Sequence, residues 1–455
     1  MFDIKSKLEE LENSGHFINI GIIGIGQMGR GLLSHIINIA GMRVSAVAAV
    51  DIKSTINFAV QEGYDPKDII VVLKERSKSE NLENRDNVVY LREPSLDKQK
   101  IEIKKIDIEN KLLVTDDPFL ITELEEIDVI VDATGKPEVG ARIAHNSILN
   151  RKHIVTLNVE GDVTIGPILN KMAKSAGVVY TVSAGDEPAA TKELFDFASM
   201  LNLKIVAAGK GKNNPLDRYS TPEKVKDFAI SKGSNPYMMN SFIDGTKSMI
   251  EMACLSNATG LIPDKRGMHG PKANISDLLK VLIPKKDGGI LTNTGIVDYV
   301  IGDLAPGVFL IYTSDSAQIK KDLEYLKNGS GPYFLLYRPY HLASIETPVS
   351  IANAFFYDEP SICPIGTLIS EVITFAKKDL KPGDILDGIG GFLSYGLIDL
   401  HEKVMQGNFL PIGMSEGAII KRSIQKDEPI KMSDVELNQN KALFNLRKIQ
   451  DCEIG

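Results

Sequence analysis

Gly209 to Pro215 reads G-K-G-K-N-N-P, with basic and amide side chains crowded just past an apolar stretch, Lys204 to Ala208, that suits a strand. Lys210 and Lys212 can hold a substrate oxyanion or phosphate, with Asn213 and Asn214 adding polar contacts. The glycines between them allow a backbone to come close. Asp186 and Glu187 follow another strand, Val178 to Val182, and suit a metal ion or substrate hydroxyls; the alternative is an N-cap and dipole partner for the next helix. Asp244, Lys247 and Glu251 fall about one helical turn apart, so they share a reactive face or make a plain salt-bridged one. His269 and Lys272 flank Gly270-Pro271, where an imidazole serves as acid–base group or phosphate ligand. Arg338 and His341 form a similar pair after a strand, and a planar guanidinium suits phosphate as well as a domain-interface ion pair. The inventory is that of a site for an anion: cations to hold it, carboxylates and imidazoles to move protons.

A second stretch supplies a cofactor. Ile18 to Ile23 is a short apolar run suited to a buried parallel strand. Gly24, Gly26 and Gly29 then form G-x-G-x-x-G with Gln27 and Met28, before an apolar-periodic helix over Leu32 to Ala40 and a strand over Val44 to Val50. Gly24 serves the tight turn, Gly26 the approach of a pyrophosphate, and Gly29 the close packing of helix on strand. Asp51 ends the second strand, where a carboxylate bonds a ribose hydroxyl. The motif in this setting predicts a nicotinamide dinucleotide. Asp51 favours NAD, while Lys53, Ser54 and Thr55 offer a place for the 2′-phosphate of NADP, so both remain open.

The elements that must carry these residues read as α/β. Strands from 20 to 182 alternate with helices, the signature of a doubly wound parallel sheet, a Rossmann domain over 18–202 after a helical arm at 1–17. Ile127 to Val131 leads to Ala133, Thr134 and Gly135, small residues that leave room for nicotinamide and ribose; His153 to Leu157 leads to Asn158, with a helix from Pro167 to Ala176 after it. Residues 75–112 are rich in Lys, Glu, Asp and Asn, with one apolar patch at Val88 to Leu91, and read as a surface insertion carrying one hairpin. A mixed α/β domain follows over 203–369, and Gly and Pro punctuate short strands over 370–455, ending in a loose polar tail from 437.

The chain has 455 residues, too long for one ordinary core. Apolar residues make up 43% and charged residues 25%, an ordinary globular balance. A net charge of −8 and the lack of a basic, aromatic-interleaved tract argue against nucleic-acid binding. No apolar run approaches the ~20 residues of a membrane span. The charged start lacks the apolar core of a signal peptide, and Cys254, Cys363 and Cys452 are scattered and odd in number. Together these predict a cytoplasmic protein with reduced thiols.

Three further stretches carry a resemblance. VDATGKPEVGARIAHNSILNRKHIVTLNVEGD resembles the strand–helix–strand of homoserine dehydrogenase-like oxidoreductases. AGKGKNNPLDRYSTP, DGTKSMIEMACLSNATGLIPDKRGMHGP and GPYFLLYRPYHL resemble, more narrowly, the type II 1-deoxy-D-xylulose 5-phosphate reductoisomerase-like proteins. KPGDILDGIGG and GMSEGAIIKRSIQKDEPIKMSDVEL resemble a SAF-type module. The resemblance implies an NAD(P)H-dependent enzyme that isomerises and reduces 1-deoxy-D-xylulose 5-phosphate to 2-C-methyl-D-erythritol 4-phosphate, in isoprenoid biosynthesis. It implies Mg or Mn as a divalent cation, and a homo-oligomer. Asn158-Val159 and Lys210 to Asn214 depart from homoserine dehydrogenase proper, which favours a small anionic, phosphorylated substrate. Two alternatives stand beside this: a dehydrogenase of a hydroxy acid, sugar acid or sugar phosphate without isomerisation, and a non-catalytic nucleotide sensor.

Overall fold

The computed structural model describes residues 3–74, 88–91, 108 and 110–454. Two compact units emerge. The first comprises 1–158, 169–184 and 343–361; the second comprises 159–168, 185–342 and 362–455.

The first unit is built on an eight-stranded, all-parallel sheet in the order β4-β3-β5-β2-β1-β6-β7-β8. Its strands are β1 (Ile18–Ile23), β2 (Met42–Ala48), β3 (Ile69–Lys74), β4 (Val88–Leu91), β5 (Leu112–Thr115), β6 (Val129–Asp132), β7 (His153–Thr156) and β8 (Tyr180–Val182). The central strands are apolar almost throughout because helices cover both faces. Ile20, Ile22, Val44, Val47, Val129 and Val131 lie in one core with Leu32, Leu33 and Ile36 of the first crossover helix. The expected doubly wound sheet is present. The arm is the helix Ile4–Asn13, whose Leu8 joins this core. The apolar patch of the insertion, Val88 to Leu91, pairs in parallel with β3 at the sheet edge. Most of the insertion lies outside the described residues.

Several boundaries differ from those expected, each for a local reason. The first crossover helix spans Gln27–Ile36, starting at the glycine turn itself with Gly26 as N-cap, rather than at Leu32. Strand β2 ends at Ala48, two residues short of Val50. The helix expected from Pro167 begins at Val159 and runs to Ala176 with Pro167 inside it. The strand before it ends at Thr156, so Glu160 and Asp162 sit in a first helical turn, not in a loop.

The second unit holds a mixed five-stranded sheet in the order β10-β11-β9-β12-β13. These strands are β9 (Lys204–Lys212), β10 (Ile262–Pro263), β11 (Ile296–Ile301), β12 (Val308–Thr313) and β13 (Phe334–Arg338). Strand β9 is central, parallel to β11 and antiparallel to β12. It continues through the segment read from sequence as a lysine-rich turn. Residues alternate sides along a strand, so Lys210 and Lys212 share one face and Gly209 and Gly211 the other. Those glycines admit neighbouring chain rather than a ligand: a Cβ on Gly209 would lie 1.7 Å from the Asp298 carbonyl oxygen, and one on Gly211 2.3 Å from Ala305 N.

The remaining chain adds an antiparallel pair, β14 (Ser370–Ala376) with β15 (Ser394–Leu400), and a short pair, β16 (Ile419–Ile420) with β17 (Val435–Glu436). The expected loose tail is a helix, Ala442–Glu453, with Leu443, Leu446, Arg447 and Gln450 buried. Apolar spacing within a polar sequence hides it. Among the described residues, no helix is long and apolar enough to cross a membrane.

The Gly209 contact yields a prediction. Gly209→Ala forces a Cβ into the backbone of β11 and should cost about 3 kcal/mol or more, read as a lowered urea midpoint. A variant with wild-type stability would contradict the described close approach of β9 to β11.

Candidate active site

Lys210 is the centre of a buried array assembled from five segments of the second unit. Helices Glu187–Met200 and Thr246–Thr259 pack against each other, the former also on β9. Glu187 sits at the start of the first, behind Asp186 as N-cap. Lys247 and Glu251 are one turn apart on the second, where Thr246 through Ala258 are all buried. Lys210 Nζ donates to Glu187 Oε1 at 2.5 Å and to Glu251 Oε2. Lys247 Nζ donates to Glu160 Oε1 at 2.7 Å. His341 Nε2 lies 3.6 Å from Glu187 Oε1. Acidic and basic side chains therefore alternate, Glu160, Lys247, Glu251, Lys210 and Glu187, with the imidazole of His341 beside Glu187.

Charge pairing decides the protonation states. Burial raises Glu187, but the ammonium of Lys210, then His341, outweighs it and holds this carboxyl below its ordinary range. Burial lowers Lys210, and Glu187 and Glu251 more than restore it, so Lys210 stays charged above the usual lysine range. Lys247 behaves likewise, burial being overcome by Glu160, Glu251 and Asp186. Asp186 and Glu251 are pushed up, first by burial and then by the charge of Glu187. Lys212 forms no ion pair among the described residues. Its Nζ donates to the Phe242 carbonyl, and burial followed by the charge of Lys210 brings it down to about 8. One lysine of the pair is thus a fixed cation and the other a group that exchanges its proton near neutrality.

Other candidates are placed differently. Asp244 is buried but turned to the C-terminal strands: it accepts from Thr246 N and from Lys377 Nζ at 2.7 Å, and so does not share the face of Lys247 and Glu251. His269 Nε2 meets Asp264 at 2.8 Å and its backbone N–H donates to Asp298, which anchors the loop. Arg338 pairs with Glu193 at 2.8 Å and stacks on Tyr340. Asn213 and Lys272 are exposed and Asn214 half-buried, past the strand ends. His341 Nδ1 lies 2.7 Å from the Pro306 carbonyl, which fixes the proton on Nδ1 and turns Nε2 towards Glu187. Sequence reasoning missed Glu160, Asp162 and Lys377. The acids of Asn158-Val159-Glu160-Gly161-Asp162 were the available signal, since they follow a strand end as Asp186 and Glu187 do. Asp162 faces the thiol of Cys254, which burial and then this carboxylate push up.

Asp186, Glu187 and Glu251 bring carboxylate oxygens within 4.8 Å of one another, a hard-oxygen set that fits Mg or Mn. Lys210 already bridges two of the three.

The residues read from sequence as a nucleotide site gather in the first unit. Gly24 has φ +99°, and a Cβ there would lie 2.8 Å from the Ala133 carbonyl oxygen. A Cβ on Gly29 would lie 2.0 Å from the Gly24 carbonyl oxygen, whereas one on Gly26 would meet nothing within 4 Å. That open space beside a helix N-terminus without a side-chain cap fits a pyrophosphate. Gln27 and Met28 are exposed there. Thr134 N and Oγ1 donate to Asp132, and Asn158 Nδ2 donates to the Lys136 carbonyl at 2.8 Å, which shapes the Ala133-Thr134-Gly135 turn. Asp51 is the N-cap of helix Ile52–Gln61, accepting from Ser54 N. Thr55 is buried on the Asp51 carbonyl and so leaves the phosphate-receiving trio; Ser54 instead takes Arg30 Nη2 at 2.6 Å.

Removing the central cation exposes the cost of the array. Lys210→Met leaves Glu187 and Glu251 facing each other, which should destabilise the protein by about 3–5 kcal/mol at pH 8. Without the ammonium both carboxyls are raised by burial and mutual repulsion, so they take up protons as pH falls and the loss should shrink by pH 5. Denaturation at the two pH values checks this; a constant loss would contradict the pairing.

Residues 185–347 match the family described as "Oxidoreductase DRL, catalytic domain". No curated protein sequence matches the chain. Among solved structures, similarity extends to a probable dehydrogenase from Thermotoga maritima at 11% identity and a TM-score of 0.34, covering 71% of this chain and 69% of that one. It extends to biliverdin reductase from Synechocystis sp. PCC 6803 at 12% identity and a TM-score of 0.28, covering 45% of this chain and 49% of that one, so the chain spans about half of that protein. A DOX-P reductoisomerase solved with magnesium is 14% identical with a TM-score of 0.39, covering 75% of this chain and 70% of that one. The stretch similar to an oxidoreductase catalytic domain contains Asp186, Glu187, Lys210, Lys212, Lys247, Glu251 and His341.

Proposed function

We propose that the chain is an NAD(P)H-dependent reductase of a small, phosphorylated polyhydroxy ketone, in the manner of the 1-deoxy-D-xylulose 5-phosphate reductoisomerase-like enzymes. The observation that carries this is the pair of lysines on one face of β9, Lys210 locked between two carboxylates and Lys212 buried on the Phe242 carbonyl. Rearrangement of a ketol needs negative charge stabilised on two neighbouring oxygens and a proton moved between them. Lys210 and Lys247 supply fixed positive charge for the developing oxyanions. Lys212 supplies a proton to the alkoxide formed on reduction, and His341, set beside Glu187, takes or returns the other. Bound NAD(P)H supplies the hydride; Gly24, Gly26 and Gly29 would hold its pyrophosphate. Mg or Mn would be held by Asp186, Glu187 and Glu251, where it would polarise vicinal oxygens. Arg338, Lys272, Asn213 and Asn214 are the candidates for the phosphate, and Asp51 for the ribose.

The bridging of Glu187 and Glu251 by Lys210 favours a second reading. With an ammonium in that place, the same site interconverts a hydroxy acid, sugar acid or sugar phosphate with its keto form by hydride transfer, with no rearrangement and no metal.

Both readings meet one assay: oxidation of NADPH and NADH with 1-deoxy-D-xylulose 5-phosphate, with and without Mn2+ or Mg2+, the product identified by mass and NMR. Metal-dependent formation of 2-C-methyl-D-erythritol 4-phosphate is expected. Coenzyme binding without turnover would reject that substrate, and metal-independent reduction of a hydroxy-acid precursor would establish the second reading. The pH profile reports on Lys212. A proton donor must be protonated to act, so kcat for reduction should be flat below pH 7 and fall about tenfold per unit above a pKa of about 8. In Lys212→Arg that limb should vanish; an unchanged limb would remove Lys212 from proton transfer.

A further inference from the structure

The C-terminal helix reaches back to the helix that carries Glu160. Pro167 stands inside helix Val159–Ala176. It has no N–H to offer the Val163 carbonyl, so that turn lacks a rung. The next rung, from Ile168 N–H to the Thr164 carbonyl, is straddled by the side-chain amide of Gln450. Its Oε1 accepts from Ile168 N–H at 3.2 Å and its Nε2 donates to the Thr164 carbonyl at 3.2 Å. A primary amide is the side chain that places a donor and an acceptor side by side for such a grip. Arg447, three residues earlier on the same helix, adds a donor to the Thr164 carbonyl at 3.4 Å. Arg447 is anchored in turn by the buried carboxylate of Glu371, at 2.5 and 3.1 Å, which also holds His401 at 2.6 Å. Gly413 closes the other side: a Cβ there would lie 2.1 Å from Thr164 Oγ1, the hydroxyl that donates to the Glu160 carbonyl at 2.8 Å. Contacts from two parts of the C-terminal stretch, the terminal helix and Gly413, thus converge on residues 160–168, the segment that presents Glu160 to Lys247.

We propose that Gln450 is a positioning residue of the active site. By gripping the helix at its proline-weakened turn, it keeps Glu160 on Lys247, and so keeps Lys247 beside Glu251 and Asp186. The C-terminal helix is then a working part of the site rather than a tail. This rests on the reading of the array as the active site. Without the grip the first turns of the helix loosen, Glu160 withdraws, and Lys247 loses the carboxylate that shields it.

The test compares full-length wild type with Gln450→Ala, and with Ile449→Ala on the exposed side of the same helix. Competitive acetylation by acetic anhydride, read by mass spectrometry, needs no substrate. Lys247 should label severalfold faster in Gln450→Ala, with Lys210 unchanged and Ile449→Ala like wild type. In turnover, kcat should fall about 10- to 100-fold with the coenzyme KM unchanged, as expected for a displaced reacting geometry. Glu160→Gln should show a similar loss, and the double variant no further loss, because the two act through one ion pair. Equal Lys247 labelling in wild type and Gln450→Ala, or losses that simply add, would overturn the proposal. Should wild type fail to turn over the sugar phosphate, the substrate reading falls while the labelling still decides on Gln450. Gln450→Met, which keeps length without hydrogen bonds, takes the place of the alanine variant if that one fails to fold, and the same labelling results support or overturn the proposal.

Discussion

Carboxylates taken out of water must be paired, and the second unit is arranged around that constraint. Glu160, Glu187 and Glu251 are buried with Lys210 and Lys247, and no one of them keeps its charge without a neighbour of opposite sign. Buried ion pairs bring little net stability, because the desolvation of each partner offsets their attraction. An apolar core of the same volume would fold as well. Retaining the array is therefore an argument for chemistry, since a site that must meet an anion and move protons needs charges already desolvated and fixed.

Meeting the constraint draws on distant parts of the chain. Strand β9 brings Lys210 and Lys212, two helices bring Glu187 and the Lys247–Glu251 pair, a third helix brings Glu160, and the segment after β13 brings His341. Each placement has its own support. The glycines of β9 let neighbouring backbone press against its far side. Lys377 of the C-terminal stretch neutralises Asp244 just before the Lys247 helix and also binds the Ser220 and Gly391 carbonyls. The Gly396 N–H bonds Thr246 Oγ1 at the start of that helix. The β-rich C-terminal stretch is thus built into the second unit, whatever ligand a module of that texture binds elsewhere.

How much of this could be read from sequence depends on range. The parallel sheet and the glycine turn were legible because apolar runs and G-x-G-x-x-G are local patterns with local causes. The residue types of the site were legible too: Lys210, Lys247, Glu251, Glu187 and His341 were all visible as chemistry. Their partners were not. Gly209 to Lys212 reads as a turn because glycine and lysine disfavour strands, yet pairing with β11 and β12 overrides that preference. Glu160 escaped notice because Pro167 reads as a helix start, when it lies in the third turn of a helix steadied by Gln450. Asp244 reads as a neighbour of Lys247 by spacing, while Lys377, over a hundred residues on, draws it away. Long-range charge pairing leaves no mark on local sequence.

The central claim is that pairing sets two of the three site lysines apart from the third. Nitrogen-15 NMR of lysine side chains, titrated from pH 6 upward and assigned by single Lys→Arg variants, tests it most directly. The account predicts that Lys210 and Lys247 remain charged beyond the pH where an ordinary lysine loses its proton, while Lys212 titrates near 8. All three titrating together near the ordinary value of about 10.4 would contradict it.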